Sequence, residues 1–449
     1  TGYNGLSGVS VTGFITGSTE NYAFITGNVS MPRTLIATGY YLNQQFIDNQ
    51  DFVLNTFTSN GYIDYNNIIT SIFTQNIQSF ATPTYEINSP IRVSSNDSGT
   101  FFILSNQETI SSTGSVLFFT GNGVSWDLKS QYSGISGDIQ FGKEIKINRE
   151  GNNFAISSTV GDPLTGRVYL LTGSNQSIYD AQIIENSGEY FGSSLALNSG
   201  NILVIGNQGD NNNSGSANIY KKYDLYSKNI ISGSYNPNQI GNTDSFGIST
   251  QFNGNGDKLF IGASNKGKGN TVYGTGSIFI YTGNGSNWSQ YFEISGDSNI
   301  TNLGRSLAVN SSGNILMAAG FDSRNFGTIN SGLVYVYTGN EKNWNKVVVL
   351  SGSISSGAQF GNSISLNASG TVAVIGGFFW NEFNFSTSSF ATGAAWIFTG
   401  SGSNWGEAAR ITGYSNRYAG QFGYSTAISD DGNTIAIGQP FYGRPTTTS

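Results

Sequence analysis

The densest set of side chains suited to binding lies in "FFWNEFNFSTSSFATG", residues 378–393. Phe379, Trp380, Phe383, Phe385 and Phe390 stand there among Asn, Ser and Thr. Aromatic rings bury large areas, and neighbouring amides and hydroxyls can satisfy a polar rim. That combination suits a sugar, which presents an apolar face and a belt of hydroxyls, and it suits a protein surface. The alternative is a satellite core under the loop, or the cover of a neighbouring subunit. Tyr273 in "SNKGKGNTVYGTG" (264–276) and Asp322 with Arg324 in "FDSRNFGTINSG" (321–332) extend the candidate surface. Asp210 in "NQGDNNNSG" (207–215), Lys266 and Lys268 share that face, and most of the charges on these loops are expected to be only solvated.

Two absences narrow the chemistry. The 449 residues include no His and no Cys. There is no imidazole base, no Ser-His-Asp triad, no thiol nucleophile, no disulfide and no Cys/His zinc cluster. Paired carboxylates could still hydrolyse a glycosidic bond, yet the residues that begin each repeat are mostly Ser, Ala, Ile and Leu, with Lys143, Glu144, Lys146 and Arg305 as exceptions. A Ser-x-Asp-x-Gly-x-Thr-Trp box is only faintly echoed by "SNDSGTFF". The expectation is a protein that is not an enzyme, with no cofactor and no bound metal.

Charged residues make up 10% of the chain, aromatics 13%, and the net charge is −7. Phosphate-backbone binding needs clustered Lys and Arg, so nucleic acid is not an expected partner. The longest apolar run, around "TVAVIGGFFW", is about ten residues, half of what a membrane helix needs. A surface of Asn, Ser, Thr, Gln and Gly suits the outside of a virion or a bacterial cell, and the expected location is extracellular. The chain begins at Thr1, which fits a removed leader or an excerpt of a longer chain.

The elements that must hold these loops are written as a repeat. "QFGKEIKINREGNNFAISS" (140–158), "YFGSSLALNSGNILVIGN" (190–207), "SFGISTQFNGNGDKLFIGAS" (245–264), "NLGRSLAVNSSGNILMAAG" (302–320), "QFGNSISLNASGTVAVIGG" (359–377) and "AGQFGYSTAISDDGNTIAIGQP" (419–440) restart one phrase. An eroded copy, "SPIRVSSNDSGTFFILSN" (89–106), carries Ser89-Pro90 in place of Phe-Gly. Each phrase reads as a short alternating strand, a Gly-containing turn and a continuous apolar strand. A second phrase, as in "GSIFIYTGNGSNW" (276–288), adds a third strand, a Thr-Gly turn and a Trp opening a fourth. Four antiparallel strands in a unit of this length make a β-propeller blade. Trp126, Trp288, Trp344 and Trp405 are expected to wedge between blades.

These phrases resemble FG-GAP repeats of the bacterial and viral kind over roughly residues 85–449. With seven restarts, the expected fold is an all-β, seven-bladed β-propeller with four-stranded antiparallel blades, as the resemblance implies, and the β-prone, Gly-punctuated residues 1–60 add a short N-terminal β-rich segment. The sequence departs from integrin-type repeats in the first hairpin loop. "NREGNN", "NSGN", "NGNGDK", "NSSGN", "NASGT" and "SDDGN" lack the carboxylates that a calcium ion requires.

The last copy stops after two strands. Residues 66–76 and 77–87 resemble a third and a fourth strand, and are expected to complete the last blade with residues 424–438, so that 61–449 forms the propeller. Residues 1–60 are too short and apolar for a stable unit alone, and read as an attachment segment pairing with other copies or other subunits of a virion or surface structure. The expected function is a non-catalytic adhesion or receptor-binding module of a viral tail fibre, another virion appendage or a bacterial surface structure. It would bind a cell-surface glycan or protein through the loops joining second to third strands. The alternatives are an architectural subunit of a fibre or shell and a carbohydrate-active hydrolase. Membrane insertion is not expected.

Overall fold

A computed structural model of the chain describes residues 10–16, 21–26 and 91–439, apart from 107–113, 122–125, 161–164, 175–176, 187–189, 201, 222–223, 233–243, 268–273, 286, 298–299, 323–331, 341, 353–357, 379–392 and 413–420. Two compact units are formed, residues 1–79 with 407–411, and residues 80–406 with 412–449. In the first, strands Ser10–Thr16 and Asn21–Thr26 pair antiparallel, with a bulge between Val11 and Phe14. The segment 66–87, expected to complete the last blade, lies outside the described residues.

The chain forms a β-propeller with six four-stranded antiparallel blades, over residues 93–133, 138–186, 191–232, 246–295, 300–350 and 363–412, all within the second unit except residues 407–411 of the last strand. Blade four shows the plan, with Phe246–Phe252, Lys258–Ala263, Ser277–Asn284 and Asn287–Ser295 paired in chain order. In blades two and five a short strand before the Phe-Gly or Leu-Gly turn, Asp138–Ile139 or Ile300–Thr301, pairs with the second strand as well. After blade six comes a two-stranded hairpin, Ser425–Ile428 with Ile435–Gly438. The expectation of seven complete blades is thus met by six and a hairpin among the described residues.

The hairpin occupies a seventh place. Its strand Ser425–Ile428 lies beside the inner strand of blade six, Ser363–Leu366, and beside that of blade one, Val93–Ser95. The other inner strands, Ile145–Ile147, Phe191–Leu197, Phe246–Phe252 and Leu307–Val309, follow between these in chain order. Seven inner strands thus close a ring.

Three devices repeat around it. First, a Phe-Gly, or Leu303-Gly304 in blade five, pins a blade to the one before. Phe141, Phe191, Phe246 and Phe360 are buried, and the following glycine takes a left-handed conformation. At Gly423 φ is +85°, and a Cβ would meet the Ala394 carbonyl at 2.2 Å. Second, a Ser two residues on donates to the next blade. Ser194, Ser249 and Ser363 Oγ donate to the carbonyls of Gly247, Gly304 and Gly423 at 2.8, 2.7 and 3.0 Å. Third, an Asn clamps each first hairpin. Asn310 Oδ1 accepts from Asn314 and Ile315 N–H at 3.0 and 2.9 Å. Asn96, Asn148, Asn253 and Asn367 bind the equivalent two amides, Asn198 the second of them, and Ser429 Oγ takes the place in the last hairpin.

The hydrophobic core is divided into layers between blades. Phe101, Phe118, Phe141 and Phe154 fill the layer between blades one and two. Trp126 packs with Phe102, Ala427 and Ala436 between the last hairpin and blade one. Trp288 lies in the layer between blades three and four, Trp344 between four and five, and Trp405 between five and six. All four Trp residues therefore act as the wedges expected of them.

Candidate functional site: the axial channel and its two rims

Antiparallel connectivity sorts the loops. The hairpin turns between first and second strands sit at one end of the ring. Connections from second to third strand, and from blade to blade, return at the other, with the Phe-Gly turns. Of the expected binding residues, Phe379, Trp380, Phe383, Phe385, Phe390, Tyr273 and Arg324 lie outside the described residues. Asp322 ends the strand Ile315–Asp322, its backbone opposite Ile300.

The aromatic loop nevertheless has an anchored start. Phe378 is buried and meets Tyr424 edge-on, with ring centroids 5.3 Å apart. Tyr424 directly follows the last Phe-Gly and lies 4.8 Å from the guanidinium of Arg92. Arg92 Nη2 pairs with Glu144 Oε1 at 2.9 Å, and its Nε donates to the Lys143 carbonyl at 3.3 Å. Arg92 and Glu144 occupy the places that carry the bridging Ser in other blades, since Ser105 and Ser157 Oγ accept from their N–H groups alike. On the same rim Lys143 Nζ stands 5.9 Å from the Tyr190 ring. Burial lowers the pKa of Arg305, and Tyr424 opposes that.

Two of the loop charges are engaged rather than only solvated. Asp210, which begins a single helical turn Asp210–Asn213 (α1), accepts from Ser216 Oγ at 2.6 Å. Lys266 Nζ pairs with Glu293 at 2.8 Å and lies 4.3 Å from the Phe279 ring. Both charges brace their own blade. Asp138 is likewise structural. Its carboxylate accepts from Ser158 Oγ (2.8 Å), Arg167 Nη1 (2.6 Å), Ile135 N–H (2.9 Å) and the Tyr169 hydroxyl, and so holds the turn before Phe141. Burial, and then Asp138, raise the Tyr169 pKa.

Along the axis runs a cavity of about 210 Å³, walled by all seven inner strands. Ser94, Lys146, Ala196, Gln251, Ala308 and Ser365 line it at one level. Small residues dominate because the inner strands converge there. Lys146 stands out: burial lowers its pKa, Glu144 opposes this and Arg92 adds to it.

The hairpin rim is a ring of main-chain hydrogen bonds. At five of the seven clamps the next residue donates to its counterpart in the following turn: Asp97 to Arg149 (3.2 Å), Gly254 to Ser311 (3.0 Å), Ser311 to Ala368 (3.0 Å), Ala368 to Asp430 (3.1 Å) and Asp430 to Asp97 (2.7 Å). Where the ring closes, charge gathers. Arg149 Nε pairs with Asp97 Oδ2 at 2.6 Å, and its Nη2 with Asp430 Oδ2 at 3.5 Å. Burial and then Asp430 push the Asp97 carboxyl up to about 7, against the pull of Arg149. Asp430 is also raised, chiefly by burial. Asp431 serves the turn instead, accepting from Asn433 N–H at 2.9 Å.

No known family model and no curated protein matches the sequence. Among solved structures the chain is similar to a Bacteroides uniformis protein provisionally named a 6-phosphogluconolactonase. The TM-score is 0.48 at 8% identity, over 77% of this chain and 88% of that one.

Arg92, Asp97 and Tyr424 escaped the sequence reading. For Arg92 the signal is a charge where Ser194, Ser249, Ser306, Ser363 and Ser425 stand in the sibling repeats; Asp97 and Tyr424 occupy positions whose residue types vary from repeat to repeat.

Proposed function

We propose that the protein is a non-catalytic binding module of an extracellular surface structure. It belongs on a viral tail fibre, another virion appendage or a bacterial surface assembly, and it holds a cell-surface glycan or protein on its loop face. The supporting observation is the division of labour between the two ends of the ring. One end is locked by side-chain clamps and main-chain hydrogen bonds. The other is the end at which second strands finish and third strands begin, and there Phe378 is buried edge-on against Tyr424. Variable loops on a rigid scaffold are the usual setting for recognition.

In this reading the propeller has seven blades of the FG-GAP type, the last completed by residues 66–87, and residues 1–60 attach it to other subunits. A hydrolase is disfavoured by the carboxyls themselves. Asp97 and Asp430 are within hydrogen-bond contact of one another, whereas glycoside hydrolysis needs carboxyls about 5 Å or more apart.

The test is a glycan array and a cell-binding assay on the full chain and on Trp380→Ala and Phe383→Ala variants. Specific binding that falls at least about tenfold in either variant supports the loop face. Wild-type binding that both variants retain overturns it. Absence of binding, with self-assembly lost on removing residues 1–60, favours an architectural subunit.

A further inference from the structure

The axial channel carries one charge that the protein leaves without a salt bridge of its own: the nearest carboxylate acting on Lys146, that of Glu144, is paired with Arg92. At the loop rim Arg92 is matched by Glu144 at 2.9 Å. At the hairpin rim Arg149 is matched by Asp97 and Asp430 at 2.6 and 3.5 Å. Lys146 stands between these sets, in the wall of the cavity, and makes no ion pair or hydrogen bond among the described residues. A half-buried ammonium is costly unless something answers its charge.

Two more polar side chains share its level. Ser94 pairs across its hairpin with Ile103, and Gln251 with Phe260, in the register at which Lys146 opposes Ala155. Both line the cavity, and neither side chain has a hydrogen-bond partner among the described residues. Ala196 and Ala308 complete the wall with small apolar patches. Of the other polar side chains on the cavity, Ser365 bonds Thr426 at 3.2 Å and Asn253 is engaged in its turn.

We propose that the axial channel is a binding site for a small carboxylate-bearing polyol of the sugar-acid class, with Lys146 taking the carboxylate and Gln251 and Ser94 the hydroxyls. The size fits: about 210 Å³ lies below the roughly 300 Å³ at which drug-sized pockets begin, and suits one monosaccharide. The charge fits as well. One ammonium without a salt bridge balances one carboxylate, while a phosphate dianion would bring surplus negative charge toward Asp97 and Asp430. Phosphate sites also favour the fork of an Arg, and the guanidinium on this cavity, Arg149, is taken by carboxylates. The cavity ends at the hairpin rim, opposite the loop face, so the site stands apart from the receptor reading.

The experiment is calorimetric titration of the full chain at neutral pH with glucuronate, glucose and inorganic phosphate, repeated on Lys146→Met. Glucuronate is expected to bind at least about tenfold more tightly than glucose or phosphate, and to lose at least about tenfold in the variant. The melting temperature of Lys146→Met should hold or rise, since an unpaired charge is removed. In wild-type protein labelled on lysine side chains, glucuronate should move one lysine resonance, the one missing from the variant. This second reading stands even if the variant folds poorly. Silence in both measurements on the wild-type chain overturns the proposal. So does equal affinity for phosphate, or undiminished binding by Lys146→Met.

Discussion

The main-chain N–H of Asp430 donates to the carbonyl of Asp97 at 2.7 Å. These residues are separated by most of the propeller in sequence, and their contact repeats the one that links four other pairs of neighbouring turns. Ser425 Oγ likewise donates to the Ile91 carbonyl at 2.8 Å, as Ser194, Ser249 and Ser363 do to theirs. The first and last parts of the ring are thus joined by the bonds used between covalently consecutive blades.

The closure should respond to pH. An unfolded Asp titrates near 3.9, while Asp97 is held up to about 7 by burial and by Asp430. The native protein therefore keeps a proton that the unfolded chain gives up. The resulting stability is fully present below about pH 4 and is lost as pH rises through about 7. Between pH 5 and 8 the melting temperature should fall by about 2–4 °C more in the wild type than in Asp97→Asn, which mimics the protonated form. Parallel pH profiles by calorimetry would count against this.

The Phe-Gly glycines should tolerate no side chain. In Gly423→Ala the new Cβ meets the Ala394 carbonyl at 2.2 Å with φ at +85°, so a loss of about 2–4 kcal/mol is expected in denaturant unfolding. Gly406→Ala has nothing within 4 Å of its Cβ and should change stability by less than about 0.5 kcal/mol.

The Asn clamps should outweigh ordinary turn residues. Asn310 is 4% exposed, accepts two amides and donates to Ser312 Oγ and Asn314 Oδ1. Asn310→Ala strands both amides and should cost about 2–3 kcal/mol. Asn310→Asp keeps the accepting oxygen and should cost less. Equal losses for the two variants would show that the clamp is not what holds the turn.

Much of this architecture is legible in residue types. The Phe-Gly restarts, the apolar second strands and the spaced Trp residues mark blades because each meets a fixed local demand: a left-handed glycine, a strand buried on both faces, a wide gap to fill. Asn310 and its counterparts were visible only as turn formers. Their role as clamps depends on side-chain oxygens reaching amides four and five residues on, which composition does not reveal. The axial charges were harder still. Arg92, Glu144, Lys146 and Arg149 come from neighbouring repeats, and Asp430 and Tyr424 from the far end of the chain. Only closure of the ring sets them together.

The most direct test of closure uses the absence of native Cys. Residues joined by a main-chain hydrogen bond bring their Cα atoms within disulfide range. In the double variant Asp97→Cys with Asp430→Cys, mild oxidation should give an intramolecular bond in the monomer. It should be seen as faster migration on a denaturing gel that reverts on reduction, together with a higher melting temperature. Cross-linking only between chains, or no reaction in the folded monomer, would contradict a ring joined through its own two ends.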